Sequence, residues 1–290
     1  MTPTATTPLP ISEHTQQVAG LDIFYREAPS HGSSPTLYIH GVPTHGADWS
    51  AFLERTGGIA LDLPGFGRSS KPSPYDFSYS IPGYNELLQQ FIQARGIDRF
   101  SLVVHDWGGL ALATAAELHE RIDRVVIINA VPLLPGYRWH RIARLWRTPI
   151  IGEFMMGMTF KWTAKLLTRE SNATPGEMPA EFIDMVWDHF DYETQRAILH
   201  LYRSAPPDVL ESAGVDLASI AAPTLVLWGD KDPYIPAKFG EGYAARIPNA
   251  TYELWQNAGH WAWLDRPDMI DRVSDFLMAD GATHEDAPQA

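Results

Sequence analysis

The 290-residue chain has no cysteine. That excludes disulfides and thiolate metal sites and fits a reducing compartment, the cytoplasm being the expected one. Positive charge is scarce: 22 Lys and Arg stand against 35 Asp and Glu, a formal net charge of −13, so nucleic acid is not an expected partner. No run of about 18 apolar residues exists, so the sequence predicts no membrane-spanning helix and no membrane partner. Met1 to Ile11 is rich in Thr and Pro and lacks a basic flank or an apolar stretch, so it does not read as a signal peptide. There are no internal repeats. What remains has the composition of a globular enzyme, 45% hydrophobic and 20% charged.

Short apolar runs alternate with helical patterns, the signature of an α/β protein with a mostly parallel central sheet flanked by helices. Strand segments are read at Val18 to Glu27 (an early hairpin strand), Thr36 to Ile39, Ile59 to Asp62, Phe100 to Val104, Val125 to Asn129, Thr224 to Trp228 and Thr251 to Trp255. Helical patterns are clearest at Tyr84 to Arg95, Trp107 to Leu118 and Met269 to Leu277. Between Pro132 and about Ala222 the alternation fails and only helical periodicity is left. This stretch reads as an all-helical cap (132–222) inserted into a core made of 15–131 and 223–280, with flexible tails at 1–14 and 281–290. It holds four of the ten tryptophans, Trp139, Trp146, Trp162 and Trp187. Arg138, Arg141, Arg144 and Arg147 recur in it every three residues, as a solvated helix face or as a site for an anionic partner.

The strongest chemical signal is His105-Asp106-Trp107-Gly108-Gly109, between the run Phe100 to Val104 and a helix-forming stretch. A strand that breaks through a tight turn into a helix is the setting of a nucleophile elbow. The residue at its tip is Asp106, which points to attack on a saturated carbon and an alkyl-enzyme ester. Nucleophilic catalysis also needs a base and a group that orients it. Candidates follow in the order Asp106, Asp232, His260, each just after a predicted strand, where ligands bind in open α/β sheets. Asp230 competes with Asp232 for the orienting role. Asn129 also follows a strand, but an amide cannot replace a carboxylate. His40 reads as structural.

These residues lie in motifs that resemble the α/β-hydrolase superfamily, specifically its epoxide hydrolase and haloalkane dehalogenase branch, across about residues 15 to 280. The motifs are His40-Gly41-Val42-Pro43, Asp62 to Ser69, the Asp106 elbow, Gly229-Asp230-Lys231-Asp232 and Gly259-His260. The resemblance implies an α/β-hydrolase fold, no cofactor or metal, and a monomer or homodimer. It selects Asp232 over Asp230 to orient His260. It also implies that the backbone N–H groups of Val42 and Trp107 form the oxyanion hole, with a cis Val42–Pro43 bond aiming the former inward. His260 would activate water against the Asp106 ester.

The leaving group separates the activities the resemblance leaves open. Epoxide hydrolases open the ring with two cap tyrosines, and Leu199-His200-Leu201-Tyr202-Arg203 resembles one such segment. The expected second tyrosine is missing around Ile150 to Phe160, leaving Tyr137 as a substitute. Dehalogenases hold the halide on the Trp after the nucleophile, here Trp107, and on a second Trp or Asn. The Asn position is Val42, so one of the four cap tryptophans would have to serve. The favoured expectation is an epoxide hydrolase acting on small apolar epoxides with water; haloalkane dehalogenase is the alternative. An esterase or lactonase, a luciferase-like enzyme and a non-catalytic binding protein rank lower.

Overall fold

The strands form where apolar residues run without interruption, because the central ones are covered on both faces. The computed structural model describes residues 7–279 apart from 31, 33 and 177. The first half contains β1 (Ser12–Val18), β2 (Leu21–Ala28), β3 (Thr36–Ile39), α1 (Ser50–Thr56), β4 (Gly58–Leu61), α2 (Ile81–Ala94), β5 (Phe100–Asp106), α3 (Ala111–Glu117) and β6 (Ile122–Ala130). Helices alone follow among the described residues up to 223: α4 (Arg141–Arg147), α5 (Ile151–Gly157), α6 (Lys161–Leu167), α7 (Ala180–Trp187), α8 (Tyr192–Ser204) and α9 (Pro207–Ala213). The chain then returns through β7 (Thr224–Gly229), α10 (Lys238–Arg246), β8 (Ala250–Trp255), α11 (Ala262–Asp265) and α12 (Asp268–Met278).

The eight strands make one sheet in the order β1-β2-β4-β3-β5-β6-β7-β8. The first two pairings are antiparallel and the rest parallel. Alternate residues feed two cores, one on each face: Leu37 and Ile39 of β3 pack on one side and Tyr38 on the other. The strand order reverses between β3 and β5, and the crevice beyond that switch point is where such sheets bind ligands. The α/β-hydrolase architecture expected from the sequence is what the chain adopts.

Two details differ from the sequence reading. The single strand expected at Val18 to Glu27 is a hairpin whose strands pair from Ser12↔Glu27 to Val18↔Leu21, so residues 12–14, expected in a flexible tail, are strand. The turn between them uses positive φ at Ala19 and Gly20. The helix expected from Trp107 opens as a 3₁₀ turn, Trp107–Leu110, before α3 begins. Residues 281–290, the other expected tail, lie outside the described residues.

Helix α8 brings the helical segment to the crevice. Asp191 caps it by accepting from the Thr194 N–H at 2.9 Å. Its buried residues Thr194, Ala197, Ile198, Leu201 and Tyr202 share one face by the 3.6-residue period. On that face the Ala197 methyl rests on Gly65, where an added Cβ would come within 2.5 Å of it. Helix α8 also packs against α4 and α5.

Candidate active site

The turn after β5 is strained at the candidate nucleophile. Asp106 has φ 47° and ψ −122°, a backbone conformation that a non-glycine residue holds only when its surroundings enforce it. They do so here: the Asp106 carbonyl accepts from the Val131 N–H at 2.8 Å. A Cβ on Gly108 would stand 2.1 Å from the Ile39 carbonyl oxygen, so glycine is required where the turn crosses β3. The Asp106 side chain is thereby held at the end of β5, buried but facing the crevice.

His260 faces it from the loop after β8. Its Nδ1 donates to Asp232 Oδ2 at 2.9 Å and its Nε2 lies 3.7 Å from Asp106 Oδ1, too far for a hydrogen bond. Asp232 Oδ1 accepts from the Tyr234 and Ile235 N–H groups at 2.8 and 3.0 Å. Burial favours the neutral form of all three residues, and the attraction between His260 and the two carboxylates opposes it. For His260, burial is outweighed by Asp232, its hydrogen bond and Asp106, and the imidazole is held above its ordinary value. For Asp232, burial is outweighed by His260 and the bonds from His260 and Asn129, and the carboxyl is held below. For Asp106, burial prevails over His260 and the Val42 and Trp107 N–H groups, and the carboxyl is raised.

Asp106 Oδ2 accepts from the Val42 N–H at 2.8 Å and the carboxylate also takes the Trp107 backbone N–H. The Val42–Pro43 bond is cis. His40 lies beneath: its Nε2 accepts from the Leu63 N–H at 2.9 Å, so its Nδ1 carries the proton donated to the Gly41 carbonyl at 2.7 Å. Burial lowers His40 to about 4, keeping it neutral. The Asp62 motif acts as a brace, its buried carboxylate accepting from the Gly46 and Arg68 N–H groups at 2.8 Å and from Arg26 at 3.0 Å. Asp230 accepts from the Ala258 N–H at 3.3 Å and has no bond to His260.

Asp106, His260 and Val42 line a cavity completed largely by the helical segment, with Trp146, Phe182 and Trp187 among its apolar walls. Tyr202 lines it too, its ring edge-on to Trp107 at 5.0 Å and Trp146 at 5.1 Å. Burial pushes the Tyr202 hydroxyl well above its ordinary value, so it stays protonated. Tyr137 does not line the cavity: it packs against Trp139 and Phe239, and its buried hydroxyl has no hydrogen bond among the described residues. The Trp107 indole is stacked on Trp139 at 5.2 Å. Its N–H lies near enough to the Tyr202 hydroxyl to ease that group's ionisation but makes no hydrogen bond of good geometry. Of the other tryptophans, Trp139 donates to the Ala205 carbonyl at 2.9 Å, so its N–H is already engaged, and Trp162 is exposed. Trp146 and Trp187 alone among the four reach the cavity. Among the described residues no group of three or more His, Asp or Glu is arranged to hold a metal ion.

The chain matches the alpha/beta hydrolase family over residues 37–273. It belongs to that family. It is similar to epoxide hydrolase 3 of Xenopus tropicalis, 27% identical over 92% of this chain and 77% of that protein. It is also similar to a haloalkane dehalogenase of Bradyrhizobium diazoefficiens, 25% identical over 91% and 93%. In three dimensions it resembles the haloalkane dehalogenase DbeA of Bradyrhizobium elkani with a TM-score of 0.78, 24% identity and coverage of 92% and 98%; at that identity the likeness is one of fold. The resemblance to the epoxide hydrolase and haloalkane dehalogenase branch is borne out by these relatives.

Four residues of this hydrolase's site escaped the sequence reading. Asn129, set aside in the sequence because an amide cannot replace a carboxylate, donates to Asp232 Oδ2 at 2.7 Å and accepts from the Gly229 N–H at 3.1 Å, so it holds the Asp232 carboxylate from the neighbouring strand. The signal was present, since Asn129 is the penultimate residue of β6, beside β7. Ser171 holds the His260 backbone: its carbonyl accepts from the His260 N–H at 2.8 Å and its hydroxyl meets Tyr234 at 2.9 Å. His140 lines the cavity and is lowered by burial to about 4. Asp48, buried, accepts from the Trp261 indole at 3.3 Å. Nothing in the local sequence marks Ser171, His140 or Asp48.

Proposed function

We propose that this hydrolase opens small apolar epoxides through an ester on Asp106. The observation that carries the reading is Tyr202: a hydroxyl kept protonated by burial lines the same cavity as Asp106 and His260. Asp106 Oδ2 is held by the Val42 N–H, which leaves Oδ1 to attack the epoxide carbon. As the carbon–oxygen bond breaks, Tyr202 gives its proton to the departing oxygen, and the nearby Trp107 indole N–H favours the resulting tyrosinate. His260, oriented by Asp232, then removes a proton from water. The hydroxide attacks Cγ of Asp106, and the charge on Oδ2 is met by the Val42 and Trp107 N–H groups. Collapse releases the diol and frees Asp106, and the proton on His260 returns to Tyr202. The helical segment 132–222 acts as the cap in this scheme, its apolar walls excluding bulk water.

One observation favours a second reading. The buried Trp107 indole N–H has no hydrogen-bond partner among the described residues, as a halide donor would require, although Trp107 itself is not one of the side chains that line the cavity; Trp146 or Trp187, which do, would supply the second donor. Turnover of matched epoxides and haloalkanes by Tyr202→Phe separates the two. Loss of epoxide opening by about 10²-fold or more supports the first; unchanged epoxide turnover rejects it.

A further inference from the structure

The helices that wall the cavity carry a second surface on their outer side. Seven of the twelve exposed large hydrophobic residues among the described ones fall between 145 and 162. In α5, Gly152 and Met156 are buried, with Gly152 against Leu199 of α8, while Ile151, Phe154 and Met158 share the outward face. Phe154 is 66% exposed, Trp162 of α6 67%, and Ile150 at the start of α5 82%. A soluble fold gains nothing from exposing aromatic and branched side chains in such density.

Charge is concentrated in the same place. Residues 138–169 hold seven of the 22 basic residues and only one of the 35 acidic ones. Two of the cations are absorbed by ion pairs, Arg141 with Glu170 and Lys161 with Asp184, and Arg147 is bonded to the Tyr202 and Ala205 carbonyls. Arg138, Arg144, Lys165 and Arg169 are exposed and make no ion pair among the described residues. In α4, Arg144 adjoins exposed Leu145; in α6, Trp162 and Lys165 lie three residues apart, on one face. The acidic remainder of the chain thus carries a cationic, apolar outer face on α4, α5 and α6 and the residues that flank them, Arg138 just before α4 and Arg169 just after α6. The single acidic residue of this stretch, Glu153 of α5, is paired with Arg203.

We propose that the outward faces of α4, α5 and α6 dock the protein on an anionic lipid bilayer. Apolar side chains interleaved with unpaired cations are what an interfacial helix offers such a surface. The strongly acidic remainder is repelled by it, so the molecule settles with these helices down. A second copy fits less well, because a two-fold contact would set this cationic face against itself. Peripheral docking needs no spanning helix, and among the described residues none is long and apolar enough to cross a membrane. It departs from the expectation of no membrane partner, which rested on that lack alone. Ile142, Trp146, Thr159 and Ala164, on the same stretch of chain, line the cavity, so a docked molecule holds its cavity wall close to dissolved apolar compounds. The docking itself does not depend on the chemistry proposed at Asp106.

The test is co-sedimentation of the full chain with vesicles of mixed phosphatidylglycerol and phosphatidylcholine, or of phosphatidylcholine alone, at low and high salt. Two double variants accompany it, Ile150→Ser/Phe154→Ser and Arg144→Glu/Lys165→Glu, all at exposed positions. The protein should bind the anionic vesicles, release with salt, and bind at least about tenfold more weakly in each variant, with turnover in buffer unchanged. Absence of binding, equal binding to both vesicle types, or parent-like binding by both variants would overturn the proposal. So would a dimer in solution that Ile150→Ser/Phe154→Ser dissociates, which would assign the face to a second copy.

Discussion

The Val42 amide and the Asp106 carboxylate are in contact at 2.8 Å before any substrate is bound. In the proposed cycle this contact fixes which oxygen attacks and leaves the other already seated where charge develops during hydrolysis.

Gly41 controls that contact. A Cβ there would lie 2.4 Å from Asp106 Cβ and 2.5 Å from Oδ2, so Gly41→Ala must displace the carboxylate. We expect kcat to fall by about 10²–10³, the cost of losing one such donor, with the circular dichroism spectrum retained. Activity within twofold of the parent would show that the contact is incidental.

The pH dependence follows from the charges around His260. Burial lowers its affinity for a proton, and Asp232 with Asp106 more than restores it. In the proposed cycle esterification of Asp106 removes one of those charges, so the imidazole becomes easier to hold neutral at the step assigned to it as base. Asp232→Asn removes the other. The acid limb of the kcat profile should then move to lower pH, while the rate at the plateau drops by up to about 10⁴ through loss of tautomer control. A limb that stays in place would contradict the coupling.

Asp48 predicts an effect on stability with the opposite sign to most carboxylates. Burial pushes it from the ordinary 3.8 up to about 7. Between those values the folded chain keeps a proton that the unfolded chain has released, so stability falls as pH rises through that window. Asp48→Asn retains an acceptor for the Trp261 indole and has no charge to bury. Its gain in Tm over the parent should be larger at about pH 8 than at about pH 5; an equal gain at both would show that Asp48 is not titrating there.

Tyr202 should discriminate between leaving groups. An epoxide leaves as an alkoxide and needs an O–H donor, so Tyr202→Phe should reduce epoxide opening by about 10²–10⁴. Loss of single-turnover alkylation, measured separately from ester hydrolysis, would place the defect in ring opening. Equal loss in both steps would instead mark a packing role against Trp107 and Trp146.

How far the sequence led depended on how local each determinant is. Strands β3, β5 and β7 were legible because burial on both faces demands unbroken apolar runs, and Asp106, Asp232 and His260 stood out as candidates because each lies at or within five residues of a strand's carboxyl end. Strand β1 was not, since its Ser12 to Gln17 segment is polar and lies on the sheet edge. Asp48 meets Trp261 across 213 positions, and Trp139 is taken out of contention by a carbonyl 66 positions away. No periodicity encodes contacts of that kind. The helical segment was recognisable by what it lacked, but which side chains it turns to the cavity depends on how its helices pack.

Intact-protein mass spectrometry of His260→Gln, after exposure to a mixture of epoxides and haloalkanes, is the most direct test of an Asp106 ester formed by ring opening. The variant should alkylate but not hydrolyse, and should gain the whole mass of an epoxide on the peptide that contains Asp106, with no such gain in His260→Gln/Asp106→Ala. An adduct of an alkyl group without its halogen would contradict the epoxide assignment and favour dehalogenation. No adduct from either class, in a variant that still folds, would contradict the ester itself.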